Sequence, residues 1–365
     1  MRYALLLVGS FLAIGQPSAR AGLYGPEQPS PFTVDAVGLL KELVYVPVFK
    51  SLLDDRFNGL NPASALTLEG RPTFRGAALN RLAELPVADV LGRSATLLRL
   101  GRFDDAVNLL QPQSRSRTPN YALLMNLAHA HTGRGEFDEA IRTHASALLD
   151  ADAPSELPGL SVPLTVRVLK LEREHYAKRL RQRRTEANRR LEAEIQEVPD
   201  LFGMAEAPMR WVDERGNYKP GTLAPTERAK LPKDAVAVVQ QLLLWSPEDT
   251  PLLWLLAELY AADGRLREAE QVFDQLTWGR NFTNRKTLME HRTAVREAAA
   301  NLPPEQADAI VPDAADVAPP PDDDAKWREL RAELAPFVLG FAGLTLLGIA
   351  LFAFTLVRRD RKKRR

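Results

Sequence analysis

Apolar residues recur three or four positions apart along most of the chain between residues 30 and 300, with polar residues between them. This spacing places the apolar side chains on one face of an α-helix. The pattern predicts an all-α fold with flanking helices at Val34–Leu43 and Ala77–Leu85, ahead of the central region, and at Arg285–Ala300 after it. Residues 22–86 are therefore predicted to form an N-terminal helical region.

A six-residue pattern occurs three times in the central region. Gly101-Arg-Phe-Asp-Asp-Ala106 is followed by Gly135-Glu-Phe-Asp-Glu-Ala140, which starts 34 residues later (135 minus 101), and Gly264-Arg-Leu-Arg-Glu-Ala269 is the third copy. We expect the glycine to end one helix and the acidic residues to favour the start of the next helix. The alanine is small enough to let the two helices pack closely.

This period and pattern resemble the tetratricopeptide repeat, a helix–turn–helix unit whose copies stack into an α-solenoid. The resemblance implies repeats over residues 87–154 and again over residues 234–300. In the second stretch Asp234–Trp245 would be a lone second helix ahead of the third copy, and Arg285–Ala300 would cap the stack.

Residues 155–233 separate the two stretches of repeats. Leu164–Glu197 contains no Pro or Gly, and an apolar stripe at helical spacing predicts one long interrupting helix with a basic face. That face is either solvated or contacts an anionic partner or a membrane surface. Arg210–Gly221 is predicted to form a small β-hairpin insertion with a Gly216-Asn217 turn. The apolar stripe consists of Leu169, Tyr176, Leu180, Ala187, Leu191 and Ile195.

The first residues are typical of a secretory signal peptide over residues 1–21. A basic start precedes an apolar run, and Ala19-Arg-Ala21 supplies the small residues at which such peptides are cleaved. The alternative interpretation is a buried N-terminal helix.

The C-terminal residues predict a single transmembrane helix. Residues 337–357 contain no charged residue and are long enough to cross a bilayer. The basic tail over residues 358–365 is expected to stay in the cytoplasm. A juxtamembrane helix over residues 326–336 and a Pro- and Asp-rich linker over residues 301–325 precede the span. We therefore expect a single-pass type I protein of a bacterial cell membrane, with most of the chain periplasmic.

Composition and motifs exclude several kinds of site. The chain has no cysteine, and therefore no disulfide or thiolate metal site. Its formal net charge of +1 argues against a dedicated nucleic-acid-binding protein. The sequence contains no nucleophile elbow, phosphate-binding loop, dinucleotide fingerprint or zinc motif, so no catalytic residue, cofactor or metal is predicted. His131 and His144 are expected to face each other between two repeat helices, either as a packed pair or as a pH switch or half of a metal site.

The repeat resemblance also implies where a partner binds, because the first helix of each repeat lines the concave face of a solenoid. The partner-binding residues implied in this way are Leu91, Leu98, Arg99, Met125, His129, Trp254 and Glu258. The mixture of apolar and a few charged side chains suits a peptide or a helix docked in a groove.

Together these features predict a non-catalytic, membrane-anchored scaffold that binds proteins or peptides outside the cytoplasm and does not bind nucleic acid. One alternative is an enzyme or a ligand-binding subunit of an envelope complex, with its site in residues 155–233. Another is a type I protein of the endoplasmic reticulum, which the dilysine-like Lys362-Lys363 tail and the glycosylation sequon Asn281-Phe-Thr283 favour.

Overall fold

The computed structural model describes residues 30–68, 71–116, 120–188, 198–204, 206–280 and 286–303. Over these ranges the chain is mostly helical, as predicted. The helices are α1 (Lys50–Leu60), α2 (Phe74–Glu84), α3 (Val90–Arg99), α4 (Phe103–Ser114), α5 (Tyr121–Gly133), α6 (Phe137–Leu149), α7 (Val162–Leu171), α8 (Ala177–Asn188), α9 (Pro225–Arg228), α10 (Ala235–Trp245), α11 (Thr250–Ala262), α12 (Leu266–Asp274) and α13 (Lys286–Ala300). An irregular turn in which Val46 has extended backbone angles precedes α1 at Tyr45–Phe49. Turns of π-helix join α7 to α8 at Glu172–Tyr176 and follow α12 at Gln275–Gly279.

The three copies of the repeat pattern form the helix pairs α3–α4, α5–α6 and α11–α12, and the turn between the helices is the same in each. Gly101, Gly135 and Gly264 have φ values of 67°, 75° and 76°, a conformation that L side chains rarely adopt. The amide after each glycine donates to the carbonyl five residues earlier, at distances of 3.0, 2.9 and 2.9 Å. These bonds close a Schellman motif at the end of the first helix, as the sequence predicts.

The second helix of each pair also follows the prediction. Asp104 and Asp105 lie in the first turn of α4, and Asp138 and Glu139 lie in the first turn of α6, where they complement the helix dipole. The alanines at the end of the pattern are fully buried at the helix crossings: Ala106, Ala140 and Ala269.

The N-terminal region differs from its prediction in one element. Ala77–Leu85 is helical within α2, but the predicted helix at Val34–Leu43 is wrong. This segment forms a turn closed by an isolated bridge between Val34 and Leu40. The carboxylate of Asp35 accepts from the amides of Val37 and Leu39, and Gly38 has a φ of 80°. An Asp that bonds to nearby amides competes with helix formation.

The predicted β-hairpin at Arg210–Gly221 is also wrong, because no strand forms in this segment. It is an irregular loop in which Asp213 accepts from the amides of Arg215 and Asn217, so the side chain satisfies groups that a strand would pair. A two-stranded antiparallel sheet lies elsewhere, where β1 (Thr67–Leu68) pairs with β2 (Arg71–Pro72).

The interrupting helix runs from Val162 to Asn188 and packs against α6, so it belongs to the stack rather than decorating it. Its buried stripe differs in part from the predicted one: Tyr176 and Leu180 are buried, Leu169 is half-buried and Ala187 is exposed. Leu191 and Ile195 lie outside the described residues. The basic face, which comprises Lys178–Arg184 and Arg189-Arg190, was predicted to be solvated or to contact a partner. One of its arginines, Arg179, is instead buried in an ion pair within the protein, as is Arg167 nearer the start of the helix.

These two arginines bind the residues that begin α10 and α11. Arg167 donates from Nε and Nη2 to Asp234, at 2.9 and 2.6 Å. Arg179 donates from Nε and Nη2 to the two oxygens of Asp249, both at 2.8 Å. Asp234 and Asp249 are the N-cap residues of α10 and α11. The long helix therefore fixes the starts of two successive helices in the second stretch of repeats.

The segment ahead of α1 packs against the second stretch of repeats, about two hundred residues further along the chain. The amide of Leu43 donates to Gln240 Oε1 at 2.9 Å, and Gln240 Nε2 donates back to the Leu43 carbonyl at 2.8 Å. Tyr45 packs edge-on against Tyr260, with ring centres 5.5 Å apart. The N-terminal segment therefore packs directly against α10 and α11.

Several predictions fall on residues that the structure does not describe. They are the signal peptide at 1–21, most of the linker at 301–325, the juxtamembrane helix at 326–336, the transmembrane helix at 337–357 and the basic tail at 358–365. Among the residues that are described, none of the helices has the length and apolar character needed to cross a bilayer.

Candidate functional site

A cleft opens where α1, α3, α5 and the corner between α10 and α11 come together. About half of its wall is apolar, and the charged and titratable side chains that line the rest come from different elements. The apolar wall includes Leu60, Leu98, Phe103, Leu244 and Trp245. The ionisable wall residues are Arg56, Arg99, His129 and Glu248.

Arg56 is the most unusual residue of this cleft. It is 4% exposed, and its Nη2 atom has no hydrogen-bond partner in the described part of the chain. The guanidinium carbon lies 5.2 Å from the centre of the Phe74 ring, which gives a cation–π contact. Burial lowers the pKa of Arg56 to about 9, and the charge of Asp55 opposes this shift. Arg56 is therefore a buried cation at neutral pH.

The one acidic residue of the wall is already engaged. Glu248 lies 3.3 Å from Arg183 on α8, and its side chain is about a third exposed. Arg183 also lies over the ring of Phe137 at the start of α6, 5.1 Å from the ring centre. Glu248 therefore links the corner before α11 to the long helix.

Behind the cleft, a carboxylate lies between two imidazoles. Glu172 Oε1 is 3.5 Å from His129 Nε2, and Glu172 Oε2 is 3.4 Å from His144 Nε2. All three side chains are at most 4% exposed. Burial acts to raise the pKa of Glu172, but the two histidines outweigh burial and lower it to about 2. The carboxylate is thus ionised, and it joins both helices of the second repeat to the long helix.

Aromatic rings surround this carboxylate. The Tyr176 ring centre lies 4.5 Å from that of His129 and 5.4 Å from that of His144. Trp245 packs edge-on against Tyr176, at 5.8 Å. The Tyr176 hydroxyl shares a 3.1 Å hydrogen bond with Thr132, and burial raises its pKa. These contacts close a polar cluster at the π-helical turn Glu172–Tyr176. Single turns of π-helix often occur at functional sites.

His131 and His144 do not face each other, so the predicted pair is wrong. His131 Nδ1 lies 2.7 Å from Glu136, which is in the turn between α5 and α6. Residues two apart on a helix point in different directions, so it is His129 that shares the Glu172 carboxylate with His144. Among the described residues, no group of three or more His, Cys, Asp or Glu side chains is arranged to hold a metal ion.

Trp254 and Glu258 form a second buried cluster, away from the cleft. Trp254 Nε1 donates to Glu258 Oε1 at 2.7 Å, and His291 Nδ1 of α13 lies 2.7 Å from the same oxygen. The ring of Tyr218, from the irregular loop, stacks on His291 with centres 3.4 Å apart. The irregular loop that contains Tyr218 and the capping helix α13 therefore cover Trp254 and Glu258.

The seven residues that the resemblance assigned to partner binding therefore do not lie on one open surface. Leu98, Arg99 and His129 line the cleft, whereas Trp254 and Glu258 belong to the second cluster. Met125 is fully buried and Leu91 is half-buried. The expectation that all seven are accessible to a partner is wrong for six of them, because the chain's own α1, long helix, loop and α13 cover the face on which they lie.

Sequence reasoning did not identify Arg56 or Glu172. Arg56 precedes the repeats, in a segment without the repeat pattern, and Glu172 lies in a helix that the pattern places outside the stack. The only sequence signal for Glu172 is its position within an otherwise apolar stripe, four residues before Tyr176.

Comparison with protein families identifies tetratricopeptide repeats in two stretches of the chain, residues 92–156 and residues 228–277. Comparison with curated proteins and with solved structures gives no match. The first stretch contains α3–α6, and the second contains α10–α12. Repeats of this family typically act as non-catalytic scaffolds for protein–protein interaction. Family comparison, the repeated sequence pattern and the shared turn geometry agree that these two stretches of the chain are tetratricopeptide repeats.

Proposed function

We propose that the protein is a non-catalytic scaffold that is anchored in a bacterial membrane by residues 337–357 and binds a protein partner on the extracytoplasmic side. The observation that carries the scaffold function is the pair of repeat stretches, which fold into stacked helix pairs with the packing of an interaction domain. The uncharged run and the basic residues after it support the anchor and its orientation.

The cleft is the part of the array that suits a partner. The rest of the face formed by the first helices is covered by the chain itself, whereas Leu60, Phe103 and Glu248 on the cleft wall are half-exposed around one opening. A tethered scaffold needs only modest affinity, because membrane anchoring raises the local concentration of whatever it binds.

The anchor is tested by determining the topology of the full chain. We expect protease added to intact spheroplasts to digest the repeats, and a reporter fused after Arg365 to be active only in the cytoplasm. Protection of the repeats together with an active external reporter would contradict the orientation. Release of the full chain by alkaline carbonate would contradict the anchor.

Partner binding is tested by photo-crosslinking in intact cells. A photoreactive residue replacing Glu248, on the cleft wall, should give a discrete crosslinked product. The same residue at Leu149, which is 82% exposed at the end of α6, serves as the control and should not give that product. The absence of any product from Glu248, or the same product from both positions, would count against a scaffold that binds through this cleft.

A further inference from the structure

The long helix keeps one face exposed. Val162 and Val166 lie one turn apart at its start and are 51% and 64% exposed. The side chain of Lys170, one turn further on, is 59% exposed. Arg173 and Arg181 are exposed later in the helix. We call these five residues the outer face.

The spacing of these residues places them along one line of the helix. Residues three or four apart are neighbours on a helix surface, which aligns the outer face as far as Arg173. Arg181 is eight residues further on, but the π-helical turn Glu172–Tyr176 lies between them. A π-turn contains one extra residue, so this step equals the seven residues of two ordinary turns.

The charges of the outer face are not balanced within the described part of the chain. The buried arginines of the same helix are paired with aspartates, whereas Arg173 and Arg181 have no ion-pair partner among the described residues. The neighbouring carboxylate of Glu174 lies 3.9 Å from Lys170 and is itself about half exposed. The outer face therefore combines excess positive charge with exposed aliphatic side chains.

This combination suits the surface of an anionic bilayer. Lipid phosphates attract basic side chains, and the boundary between headgroups and acyl chains accepts aliphatic side chains from the same helix. A bilayer also fits the convex face of a single helix without needing a pocket. A soluble acidic segment would pair with the arginines but would give the two valines no apolar environment.

We infer that the outer face binds an anionic membrane surface, with lipid phosphates at Lys170, Arg173 and Arg181 and with Val162 and Val166 among the headgroups. The inference rests on the proposed function in one respect. The anchor keeps the helical region close to a bilayer, so weak binding by a few side chains is enough.

The test uses the full-length chain reconstituted into vesicles of phosphatidylcholine, with or without phosphatidylglycerol. Because the chain contains no cysteine, Val166→Cys can carry a single environment-sensitive fluorophore. Asn108→Cys, at an exposed position of α4, carries the control label. Emission wavelength and quenching by a water-soluble nitroxide report whether each label lies among the lipid headgroups.

Two variants with the same net charge separate the outer face from charge in general. Arg173→Gln combined with Arg181→Gln removes two charges from the outer face. Arg102→Gln combined with Arg215→Gln removes two exposed charges from other parts of the surface. Each pair of substitutions is made in the chain that is labelled at residue 166.

In vesicles with phosphatidylglycerol, the label at residue 166 should emit at shorter wavelength and be shielded from the quencher, whereas the label at residue 108 should not. Each basic residue near an anionic leaflet strengthens binding about fivefold. The outer-face variant should therefore lower the ratio of shielded to accessible label about tenfold or more, and the control variant should leave it unchanged. High salt should abolish the shielding of the wild-type face, a measurement that does not depend on how the variants fold.

Equal shielding in phosphatidylcholine alone, or shielding that neither high salt nor the outer-face variant reduces, would overturn the inference. A wavelength shift produced by soluble polyglutamate in phosphatidylcholine vesicles would indicate an acidic protein partner and would also overturn it. If the chain does not float with phosphatidylcholine vesicles, the anchor of the proposed function fails. Vesicles with phosphatidylglycerol, mixed with the same labelled chains, then still decide whether the outer face binds anionic lipid.

Discussion

Glu172 shows how a single residue can hold two repeat helices and the long helix together. A buried charge is costly unless nearby groups stabilise it, and here two imidazoles lie within 3.5 Å of the carboxylate. His129 comes from α5, His144 from α6, and Glu172 from the π-helical turn after α7. Losing the charge should therefore loosen the contact between the second repeat and the long helix.

We predict that Glu172→Gln lowers the free energy of unfolding at pH 7 by about 1.5–3 kcal/mol, the usual contribution of hydrogen bonds to a charged group. The folded pKa of about 2 lies below the ordinary value of 4.5, so the folded state binds fewer protons than the unfolded state. The contribution of Glu172 is therefore present above pH 4.5 and is lost as pH falls towards 2. The stability difference between wild type and variant, measured by urea unfolding at several pH values, should shrink over that interval.

The matched control is Glu174→Gln. Glu174 is two residues away, is about half exposed, and lies 3.9 Å from Lys170. Exposed pairs of this kind contribute little, so its replacement should leave stability nearly unchanged. A difference between wild type and Glu172→Gln that stays constant from pH 7 to pH 2 would contradict the role given to the carboxylate.

At the scale of elements, the repeat turns and most of the helices around them could be predicted, whereas two of the surrounding segments could not. The glycine, acidic and alanine positions of the repeat act locally, within one helix–turn–helix, so the sequence pattern alone specifies them. Val34–Leu43 and Arg210–Gly221 were wrongly predicted because Asp35 and Asp213 bond to nearby amides, and such bonds compete with helix and strand. The buried role of Arg167 and Arg179 depends on aspartates about 70 residues away, which no local pattern shows.

The repeat turns allow a comparison between two glycines of the same conformation. At Gly135 a Cβ atom would meet nothing within 4 Å, whereas at Gly101 it would lie 3.1 Å from the Leu60 carbonyl oxygen. Gly135→Ala should cost about 1–2 kcal/mol, the strain of a left-handed backbone. Gly101→Ala should cost more, because α1 must also shift, and chemical denaturation of both variants would measure the difference. Equal costs would show that α1 does not press on this turn.

The arginines of the long helix are the element-scale contacts with the largest expected effect. Arg179→Met leaves Asp249 buried with its charge uncompensated, and breaking a buried pair in this way costs about 3–5 kcal/mol. The arginine partner also holds the pKa of Asp249 below its usual value against the effect of burial. Arg181→Met is the control, since Arg181 is exposed on the same helix and its loss should change stability by less than about 0.5 kcal/mol.

A second substitution separates the charge from the packing. Asp249 caps α11 through the amide of Leu252, and serine can also cap a helix without a charge. Adding Asp249→Ser to Arg179→Met should therefore recover part of the loss, as measured by the same denaturation experiment. If the double variant is no more stable than Arg179→Met alone, the ion pair is not the reason that Arg179 matters.

At the scale of the whole described region, contacts between distant parts of the sequence change the behaviour expected of a repeat array. When repeats touch only their neighbours, each is coupled directly to the next, and distant repeats can unfold separately. Here the N-terminal segment is bonded to α10 and α12 through Asp234, Gln240 and Arg265. Such closure should make the segment ahead of α1 and the second stretch of repeats unfold together.

Two adjacent buried glutamines in α10 provide the test of this closure. Gln240 exchanges two hydrogen bonds with the backbone of Leu43 and donates to the Tyr260 hydroxyl at 3.0 Å. Gln241 is 2% exposed, and its Nε2 has no hydrogen-bond partner among the described residues. The same substitution at the two positions therefore removes either the closing contact or an unsatisfied polar group.

We predict that Gln240→Met lowers the free energy of unfolding by about 1–3 kcal/mol, because it removes two hydrogen bonds to the half-buried backbone of Leu43, each of which typically contributes about 0.5–1.5 kcal/mol. Gln241→Met should be neutral or stabilising, because it removes an unsatisfied buried group at nearly constant volume. Hydrogen exchange should show faster exchange in Gln240→Met both at residues 43–60 and in α10–α12, since the contact joins them. Faster exchange confined to residues 43–60 would mean that the N-terminal segment only rests on the repeats and does not close the array.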